Sequence, residues 1–256
     1  MTEPLLTALI IARDAGPTIA ACVQALGFCD RVVVAENGSG DDTAEKARAA
    51  GAEVRRVAWE GYGQTKNRLI ADVREGWIFS VDADEIATAD LAREIKSALA
   101  LDPPFAGFEV SRRNYFLGHC IRHCGWNPDW QLRLFRAGAG AFETRQVHEA
   151  LRVRGTVGRL QHPLEHFTYR SVRDYLSRMN TYTSLAAQER QARGKRFSLA
   201  RLLFDPPWTF SKMYFLKAGW LDGFPGLALC SLSALNTLVK HAKHWEMETS
   251  QDRPRA

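Results

Sequence analysis

The chain has 256 residues, of which 46% are hydrophobic and 25% are charged, so its composition excludes an intrinsically disordered protein and predicts a globular one. The formal net charge of +5 is unevenly distributed, because residues 166–256 carry 14 Lys or Arg against 7 Asp or Glu, and residues 1–165 carry 20 against 22. No uninterrupted apolar stretch reaches the roughly 18 residues of a membrane-spanning helix.

Residues 5–100 alternate between the patterns of buried strands and of amphipathic helices. Apolar or β-branched runs predict strands over 5–12, 31–36, 52–59 and 77–83. Helical spacing predicts a helix after each strand: from Pro17 to Gly27, over "AEKARAA" before Gly51, over 63–73, and through Leu91, Ile95 and Leu99. This alternation predicts an α/β fold with a mostly parallel sheet that helices cover on both faces.

The pattern changes twice beyond residue 105. "FEVSRRNYFLG" and "DWQLRLFR" (129–136) predict two further strands, and from Ser171 onward the apolar residues recur at helical spacing. Ser171 and Asp174 have the form of a helix N-terminal cap. We therefore expect an α/β domain over 1–165 and a helical, basic and aromatic region over 166–256.

The cysteines and the N-terminal segment indicate a cellular compartment. Five cysteines are an odd number, and they are scattered along the sequence. The first residues, "MTEPLLTALIIARDAG", place an acidic residue where a secretory signal carries positive charge. We expect free thiols in a reducing, cytoplasmic setting.

The segment "FSVDADE" (79–85) places three carboxylates directly after an apolar run. In open α/β sheets, ligands bind at the carboxyl ends of the strands, where this segment is expected to lie. Along an extended chain Asp82 and Asp84 point the same way, so they could hold one Mg²⁺ or Mn²⁺ and leave coordination positions for a diphosphate. The alternative is a solvated acidic loop, since an isolated D-x-D pattern is common.

The turn "ENGSGDDT" (36–43) is expected at the same edge of the sheet. Glu36, Asn37 or Asp41 could bind part of a nucleotide, but Asn, Gly and Asp are also the usual residues of an ordinary turn. Neither the G-x-x-x-x-G-K-[ST] loop nor the G-x-G-x-x-G fingerprint of nucleotide-binding proteins occurs in the sequence.

Three further groups of polar residues have two interpretations each. "HCIRHC" (119–124) lacks the paired spacing of zinc sites, so we expect Cys120 and Cys124 to be small buried residues. Asp129, between two tryptophans in "GWNPDWQLRLFR", is either a general base near aromatic rings or a polar turn residue. His148 in "VHEAL" is either a metal ligand or proton carrier, or a structural residue. The G-x-S-x-G pattern of serine hydrolases is absent.

Seven segments together form a recognisable series: "LIIARDAG", "VVVAENGSGDDT", "GYGQTKN", "SVDADE", "GWNPDWQLRLFR", "VHE" and "GWLDGFPG". In this order they resemble the bacterial family-2 glycosyltransferases of lipopolysaccharide core synthesis, of the heptose β-1,4-glucosyltransferase type. The resemblance runs over nearly the whole chain. It implies a catalytic domain of the GT-A fold over 1–165, a nucleotide-sugar donor, Mg²⁺ or Mn²⁺, and inversion at the anomeric carbon.

The resemblance also implies roles for individual positions. The implied nucleotide-sugar contacts are Ala12, Arg13, Glu36, Asn37, Lys66, Asn67, Asp82, Ala83 and Asp84. The implied cation ligands are Asp82, Asp84 and His148, and the implied catalytic base is Asp129. Trp126, Gln131 and Arg133 are candidates for contacts with the acceptor or with phosphate, although Arg133 and Arg136 could also form an exposed strand face. Glu36 replaces the usual Asp of the family, and its longer side chain would shift the contact with uracil or ribose.

The implied reaction transfers a hexose, glucose from UDP-glucose, to a sugar of the lipopolysaccharide core or of a related envelope glycan. The alternatives are a family-2 transferase with another donor or acceptor, a sugar nucleotidyltransferase, and a basic binding module. A nucleotidyltransferase would carry a Gly-rich basic loop near the N-terminus, which "ARDAGPT" is not. The strand-end carboxylates would repel nucleic acid, so we expect none as a partner.

The basic last third predicts a second partner. Aromatic residues and lysines in this region fit a protein bound to the inner face of the cytoplasmic membrane, where lipid-linked acceptors lie. The alternative is a helical subdomain that only covers the catalytic domain. The residues concerned are Trp208, Phe210, Tyr214, Phe215, Trp220 and Phe224, with Lys212 and Lys217.

Overall fold

The computed structural model describes residues 5–143 and 150–251 of the chain. Its strands are β1 (Leu6–Ala12), β2 (Arg31–Glu36), β3 (Glu53–Arg56), β4 (Trp77–Asp82), β5 (Glu85–Ala87), β6 (Gly107–Phe116), β7 (His119–Cys120), β8 (Trp130–Arg136), β9 (Gly140–Phe142), β10 (Leu151–Val153), β11 (Val157–Arg159) and β12 (Leu164–Tyr169). Its helices are α1 (Ile19–Ala25), α2 (Thr43–Ala49), α3 (Tyr62–Ala71), α4 (Ala89–Ala100), α5 (Val172–Ala192), α6 (Leu199–Ser211) and α7 (Gly223–Gln251). A π-helical turn (Lys212–Leu216) and a 3₁₀ turn (Gly219–Asp222) connect α6 to α7.

The main sheet has the strand order β3-β2-β1-β4-β8-β6-β12-β5. Parallel pairing joins β3, β2, β1 and β4, whereas β8 runs antiparallel to both β4 and β6. This arrangement confirms the predicted α/β fold class, with its mostly parallel core sheet and its helical C-terminal part. The third predicted strand, 52–59, is shorter than expected, because β3 covers only 53–56 on the edge of the sheet.

Apolar clusters cover both faces of the core strands. Successive residues of a strand point to opposite faces, so Ala8 and Ile10 belong to one cluster and Leu9 to the other. Helices α1 and α4 contribute to the first cluster, and α3 contributes Leu69 and Ile70 to the second. Burial on both faces explains why these strands read as continuous apolar runs.

The chain divides into two compact units. Within the described residues, the first unit comprises 5–113 and 128–166, and the second comprises 114–127 and 167–251. The boundary expected after residue 165 therefore differs from the structure, since it assigns 114–127 to the first domain. This segment packs with the helices because its apolar side chains enter a cluster of buried residues: Phe116, Ile121, Cys124, Tyr175, Leu229 and Cys230.

The second unit is built on α5, α6 and α7. The predicted cap of α5 is present, since the Ser171 hydroxyl accepts a hydrogen bond from the Asp174 N–H (3.0 Å). None of the helices in the described part of the chain has the length and apolar character to cross a bilayer.

The "GWLDGFPG" segment forms the 3₁₀ turn before α7 and the first residues of α7, and two of its glycines are required by close packing. A Cβ atom at Gly219 would lie 2.9 Å from Sγ of Cys124 and 3.0 Å from Sγ of Cys230. A Cβ atom at Gly226 would lie 2.1 Å from the carbonyl oxygen of Gly219. Any larger residue at either position would displace buried neighbours, which explains the glycines in this segment.

Candidate active site

The carboxyl ends of β1, β2 and β4 meet at one edge of the sheet in the first unit. In the strand register, Ala12 lies opposite Glu36, and Ile11 lies opposite Asp82. Ala12 is buried, and the side chain of Arg13, which begins the next loop, is 60% exposed. The structure thus brings predicted donor-binding residues from three strands to one place.

Hydrogen bonds join the two loops that follow β1 and β2. The N–H of Asp14 donates to Oγ of Ser39 (3.1 Å), and the N–H of Gly40 donates to Oδ1 of Asp14 (2.8 Å). The N–H of Gly16 donates to Oδ2 of Asp41 (2.9 Å). The Asp41 carboxylate therefore joins the two loops.

Glu36 and Asn37 lie buried where β2 ends. The Glu36 carboxylate accepts the N–H of Ser39, and this hydrogen bond lowers the pKa of Glu36. Among the described residues, nothing donates a hydrogen bond to Oδ1 of Asn37. A buried oxygen left without a donor costs about 1–3 kcal/mol. This oxygen is therefore a candidate acceptor for an N–H group of a ligand.

The Asp82 carboxylate lies between two cations. Nη2 of Arg133 is 2.5 Å from Oδ2, and Nζ of Lys66 is 3.4 Å from Oδ1. Burial raises the pKa of Asp82, but Arg133 and then Lys66 oppose it and hold the pKa well below its ordinary value. The next residue, Ala83, is half-buried and packs against the core.

Glu85, the third carboxylate of the acidic segment, is fully buried and was not predicted as a site residue. Its carboxylate accepts the N–H of Asp82 (2.9 Å) and a hydrogen bond from Nη2 of Arg133, and Nη1 of Arg112 lies 3.4 Å away. Burial raises the pKa of Glu85 to about 7, with Asp82 adding to the rise and the two guanidinium groups opposing it. The acidic segment is thus not a solvated loop.

The two arginines of β8 have different surroundings. Arg133 is only 5% exposed, which excludes an exposed strand face at this position, and its Nε has no hydrogen-bond partner among the described residues. The Arg136 guanidinium lies 4.6 Å from the ring centroid of Trp77, and its Nε donates to the carbonyl of Phe105. Arg133 is therefore a partner of the site carboxylates, and Arg136 supports packing.

Asp84 lies next to a histidine that the sequence did not single out. Nε2 of His166, on β12, is 3.6 Å from Oδ1 of Asp84. Burial and then the nearby Arg112 lower the pKa of His166 to about 3, so its imidazole is neutral at neutral pH. The predicted ligand His148 lies outside the described residues. Within 5–143 and 150–251, no group of three or more His, Cys, Asp or Glu is arranged to hold a metal ion.

Asp129, the predicted base, lies directly before β8 and is held by polar side chains. Nε and Nη2 of Arg112 both lie 2.8 Å from Oδ2, and Nε2 of Gln131 donates to Oδ1 (2.7 Å). The N–H of Arg112 also donates to the Asp129 carbonyl (2.8 Å). The predicted acceptor candidate Gln131 is thus a direct partner of the predicted base.

Two other predicted site residues contact neighbouring protein groups. Nδ2 of Asn67 donates to the carbonyl of Phe142 (2.9 Å), and Oδ1 of Asn67 accepts the Phe142 N–H (2.7 Å). This side-chain amide holds β9 in place. Trp126 belongs to the second unit, where its ring lies 6.4 Å from those of Phe116 and Tyr169.

The His–Cys segment 119–124 is joined to the helices of the second unit. The Asp222 carboxylate accepts the N–H of His123 (2.9 Å) and lies 3.0 Å from its Nδ1. Cys124 is buried with its Sγ 3.7 Å from that of Cys230, whereas Cys120 is half-buried. All five cysteines carry free thiols.

Four of the six aromatic residues predicted to face a membrane are exposed. They are Trp208, Phe215, Trp220 and Phe224, and the exposed fraction of Phe224 is 78%. Phe210 and Tyr214 instead pack on the core of the second unit with their rings stacked 5.2 Å apart. We call the exposed residues, together with Leu216 (68% exposed), the exposed aromatic surface.

The chain is similar to bacterial glycosyltransferases, although no protein family model matches it. It is 29% identical to the lipopolysaccharide core biosynthesis glycosyltransferase LpsC of Rhizobium meliloti, over 97% of this chain and 95% of that protein. It is 25% identical to an uncharacterized glycosyltransferase of Rickettsia typhi, over 94% of this chain and 87% of that protein. A further uncharacterized glycosyltransferase, of Rickettsia felis, is 23% identical over 93% and 88%.

Among solved structures, the glucosyl-3-phosphoglycerate synthase of Mycobacterium tuberculosis, in complex with Mn²⁺, UDP and phosphoglyceric acid, is 22% identical. It aligns at a TM-score of 0.37 over 43% of this chain and 44% of that chain, an extent that supports no inference about this chain. The sequence similarity to LpsC extends further, because it spans 97% of this chain and 95% of LpsC. It confirms the resemblance predicted from the sequence: the chain is similar throughout to the bacterial glycosyltransferases of lipopolysaccharide core synthesis.

Proposed function

We propose that this protein is an inverting glycosyltransferase that moves a hexose, glucose from UDP-glucose, onto a sugar of the lipopolysaccharide core or of a related envelope glycan. The observation that carries the proposal is the convergence, in the first unit, of the strand-end carboxylates with Asp129 through shared arginines. Glycosyl transfer is also the activity named for the relatives that span nearly the whole chain.

In this proposal the ends of β1 and β2 bind the nucleoside. Asn37 offers the buried oxygen Oδ1, which would accept the imide N–H of a uracil ring. Ala12 and Glu36 lie opposite each other at the same edge of the sheet, and Arg13 follows Ala12 in the next loop. Lys66, which lies 3.4 Å from Asp82, supplies positive charge toward the diphosphate.

Asp84 and His166 would hold the divalent cation. The Asp84 carboxylate is a type of ligand that suits both Mn²⁺ and Mg²⁺, and the neutral imidazole of His166, 3.6 Å away, would suit Mn²⁺ better than Mg²⁺. When bound, the cation supplies positive charge that stabilises the departing diphosphate. Arg133 and Lys66 already compensate the negative charge of Asp82. Asp82 would therefore contribute to donor binding through the position of the loop that it begins. His148 remains a proposed further ligand.

Asp129 would act as the general base. A sugar hydroxyl is a weak nucleophile at neutral pH, so a carboxylate must accept its proton as the new glycosidic bond forms. Attack from the face opposite the diphosphate inverts the anomeric carbon. Gln131, on Oδ1 of Asp129, is placed to orient this carboxylate, and Trp126 remains a proposed acceptor contact.

Donor binding tests the proposal directly. We expect UDP-glucose with Mn²⁺ to raise the melting temperature by several degrees, because a ligand at about 100 times its Kd adds roughly 2.7 kcal/mol to the free energy of unfolding. Asp84→Asn should abolish the metal-dependent part of this shift. Asp90→Asn, which changes an exposed carboxylate paired with Arg93, should retain it. A panel of nucleotide sugars that produces no shift with Mn²⁺ would overturn the proposal.

We propose further that the protein works on the inner face of the cytoplasmic membrane, on a lipid-linked acceptor. The exposed aromatic surface lies in the second unit beside the exposed Lys212 and Lys217. Aromatic rings favour the interfacial region of a bilayer, and lysines favour its anionic headgroups.

A further inference from the structure

Arg112 joins the proposed base to the acidic segment, although no motif in the sequence marks it. Two nitrogens of its guanidinium lie 2.8 Å from Oδ2 of Asp129, and a third, Nη1, lies 3.4 Å from Oε1 of Glu85. Glu85 in turn accepts the N–H of Asp82 (2.9 Å). A continuous series of polar contacts therefore runs from Asp129 through Arg112 and Glu85 to the backbone of Asp82. We call residues 82–85, which are proposed to bind the donor, the donor loop.

The members of this series have little freedom to move. The Glu85 side chain is 0% exposed, and that of Arg112 is 19% exposed. A guanidinium is planar with donors in a fixed fork, so contact with a carboxylate on each side fixes its orientation. The N–H of Arg112 also bonds the Asp129 carbonyl, which fixes the backbone of the base beside the strand that carries Arg112.

The position of a general base affects the rate strongly, since a displacement of about 1 Å in a reacting group can cost 100-fold in rate. The contacts of Arg112 hold the Asp129 carboxylate in one position.

We propose that Arg112 is a positioning residue, which holds Asp129 in register with the donor loop by anchoring on Glu85. The inference rests on the proposed function, because it assumes that Asp129 is the base. Arg112 acts through Asp129, so its contribution should disappear when the base is absent.

A double-mutant cycle on kcat tests this relation. We expect Asp129→Asn to lower kcat by roughly 100-fold or more, the range of general-base catalysis. Arg112→Lys keeps the charge but cannot reproduce the fork, and we expect it to lower kcat about 10-fold or more, with little change in the donor KM. The kcat of the double variant should lie within about twofold of the kcat of Asp129→Asn alone, because the effects of substitutions at coupled residues are not additive.

A matched control comes from the same strand as Arg112. Glu109 on β6 pairs with Arg159, whose side chain is 63% exposed (2.8 Å), and Glu109→Gln should leave kcat and the donor KM unchanged. Melting temperatures of all variants identify any that do not fold. If Arg112→Lys does not fold, Arg112→Gln and Glu85→Gln provide the same cycle, and both should lose their effect in the Asp129→Asn background.

Two failures are distinguishable. If Asp129→Asn has wild-type kcat, Asp129 is not the base and the proposed function fails at that step. If Asp129→Asn is impaired and Arg112→Lys lowers kcat by the same factor with and without Asp129, the positioning role of Arg112 is wrong and the base assignment stands. An effect of Arg112→Lys on the donor KM alone would also overturn the positioning role.

Discussion

At the scale of single residues, Arg133 compensates the charge of the acidic segment. One of its nitrogens contacts both Asp82 and Glu85, at a position that is 5% exposed. Removing one partner of a buried ion pair leaves uncompensated charge and costs about 3–5 kcal/mol. We therefore expect Arg133→Met to lower the free energy of unfolding by about this amount in urea denaturation.

The matched control for Arg133→Met is an arginine in an exposed ion pair. Arg93, whose side chain is 79% exposed, pairs with Asp90 on α4. Arg93→Met should change the free energy of unfolding by no more than about 0.5 kcal/mol. Equal effects of the two variants would show that the buried contacts of Arg133 contribute nothing to stability.

The sequence indicates those site residues that belong to a short motif, and it does not indicate residues whose partners are distant along the chain. Asp82 and Asp84 stand together after an apolar run, so a short segment marked them. His166 and Arg112 carry no such mark, because their partners Asp84 and Asp129 come from other parts of the chain. A sequence with two adjacent arginines, 112 and 113, does not reveal which one points inward.

At the scale of secondary structure, β9 depends on a side chain of α3. Both backbone groups of the buried Phe142 bond to the amide of Asn67. Asn67→Ala should lower the free energy of unfolding by roughly 2 kcal/mol in urea, because two buried backbone groups lose their partners. Gln64→Ala, an exposed amide on the same helix, should have no such effect because Ala favours helix.

If Asn67 contacts the nucleotide, as the family resemblance implies, Asn67→Ala would reduce the free energy of UDP binding more than it reduces the free energy of unfolding. Isothermal titration of UDP with Mn²⁺ separates the two roles. We expect UDP affinity to fall by less than about threefold, because both ends of the amide are already bonded to Phe142. A loss of affinity without a loss of stability would contradict this.

Most elements of the first unit could be predicted from the sequence, because each strand and helix carries its own apolar period. The strand over Arg31–Glu36 has the predicted bounds. The membership of 114–127 in the second unit could not be predicted, since its strand pattern does not show which core receives Phe116 and Ile121. Packing between segments that are distant in the sequence determines which core contains these two side chains.

At the scale of the whole molecule, net positive charge and exposed apolar side chains are concentrated in the C-terminal third of the chain. Lys or Arg outnumber Asp or Glu by 14 to 7 over residues 166–256, and this is the part that carries the exposed aromatic surface. Exposed apolar groups of this extent are typical of interaction sites, which supports the proposed contact with a membrane. Positive charge beside them favours an anionic bilayer over a second positively charged copy of the chain.

Flotation with anionic vesicles tests this surface. We expect the protein to float with phosphatidylglycerol-containing vesicles at low salt and to bind more weakly as salt rises, since each lysine near the surface contributes about 1 kcal/mol. The combined Leu216→Ser, Trp220→Ser and Phe224→Ser variant should bind at least 10-fold more weakly. Leu101→Ser removes a side chain that is 82% exposed in the first unit and should bind like wild type. Unchanged flotation of the triple variant would contradict the assignment, and a self-association that this variant loses would assign the surface to a second copy instead.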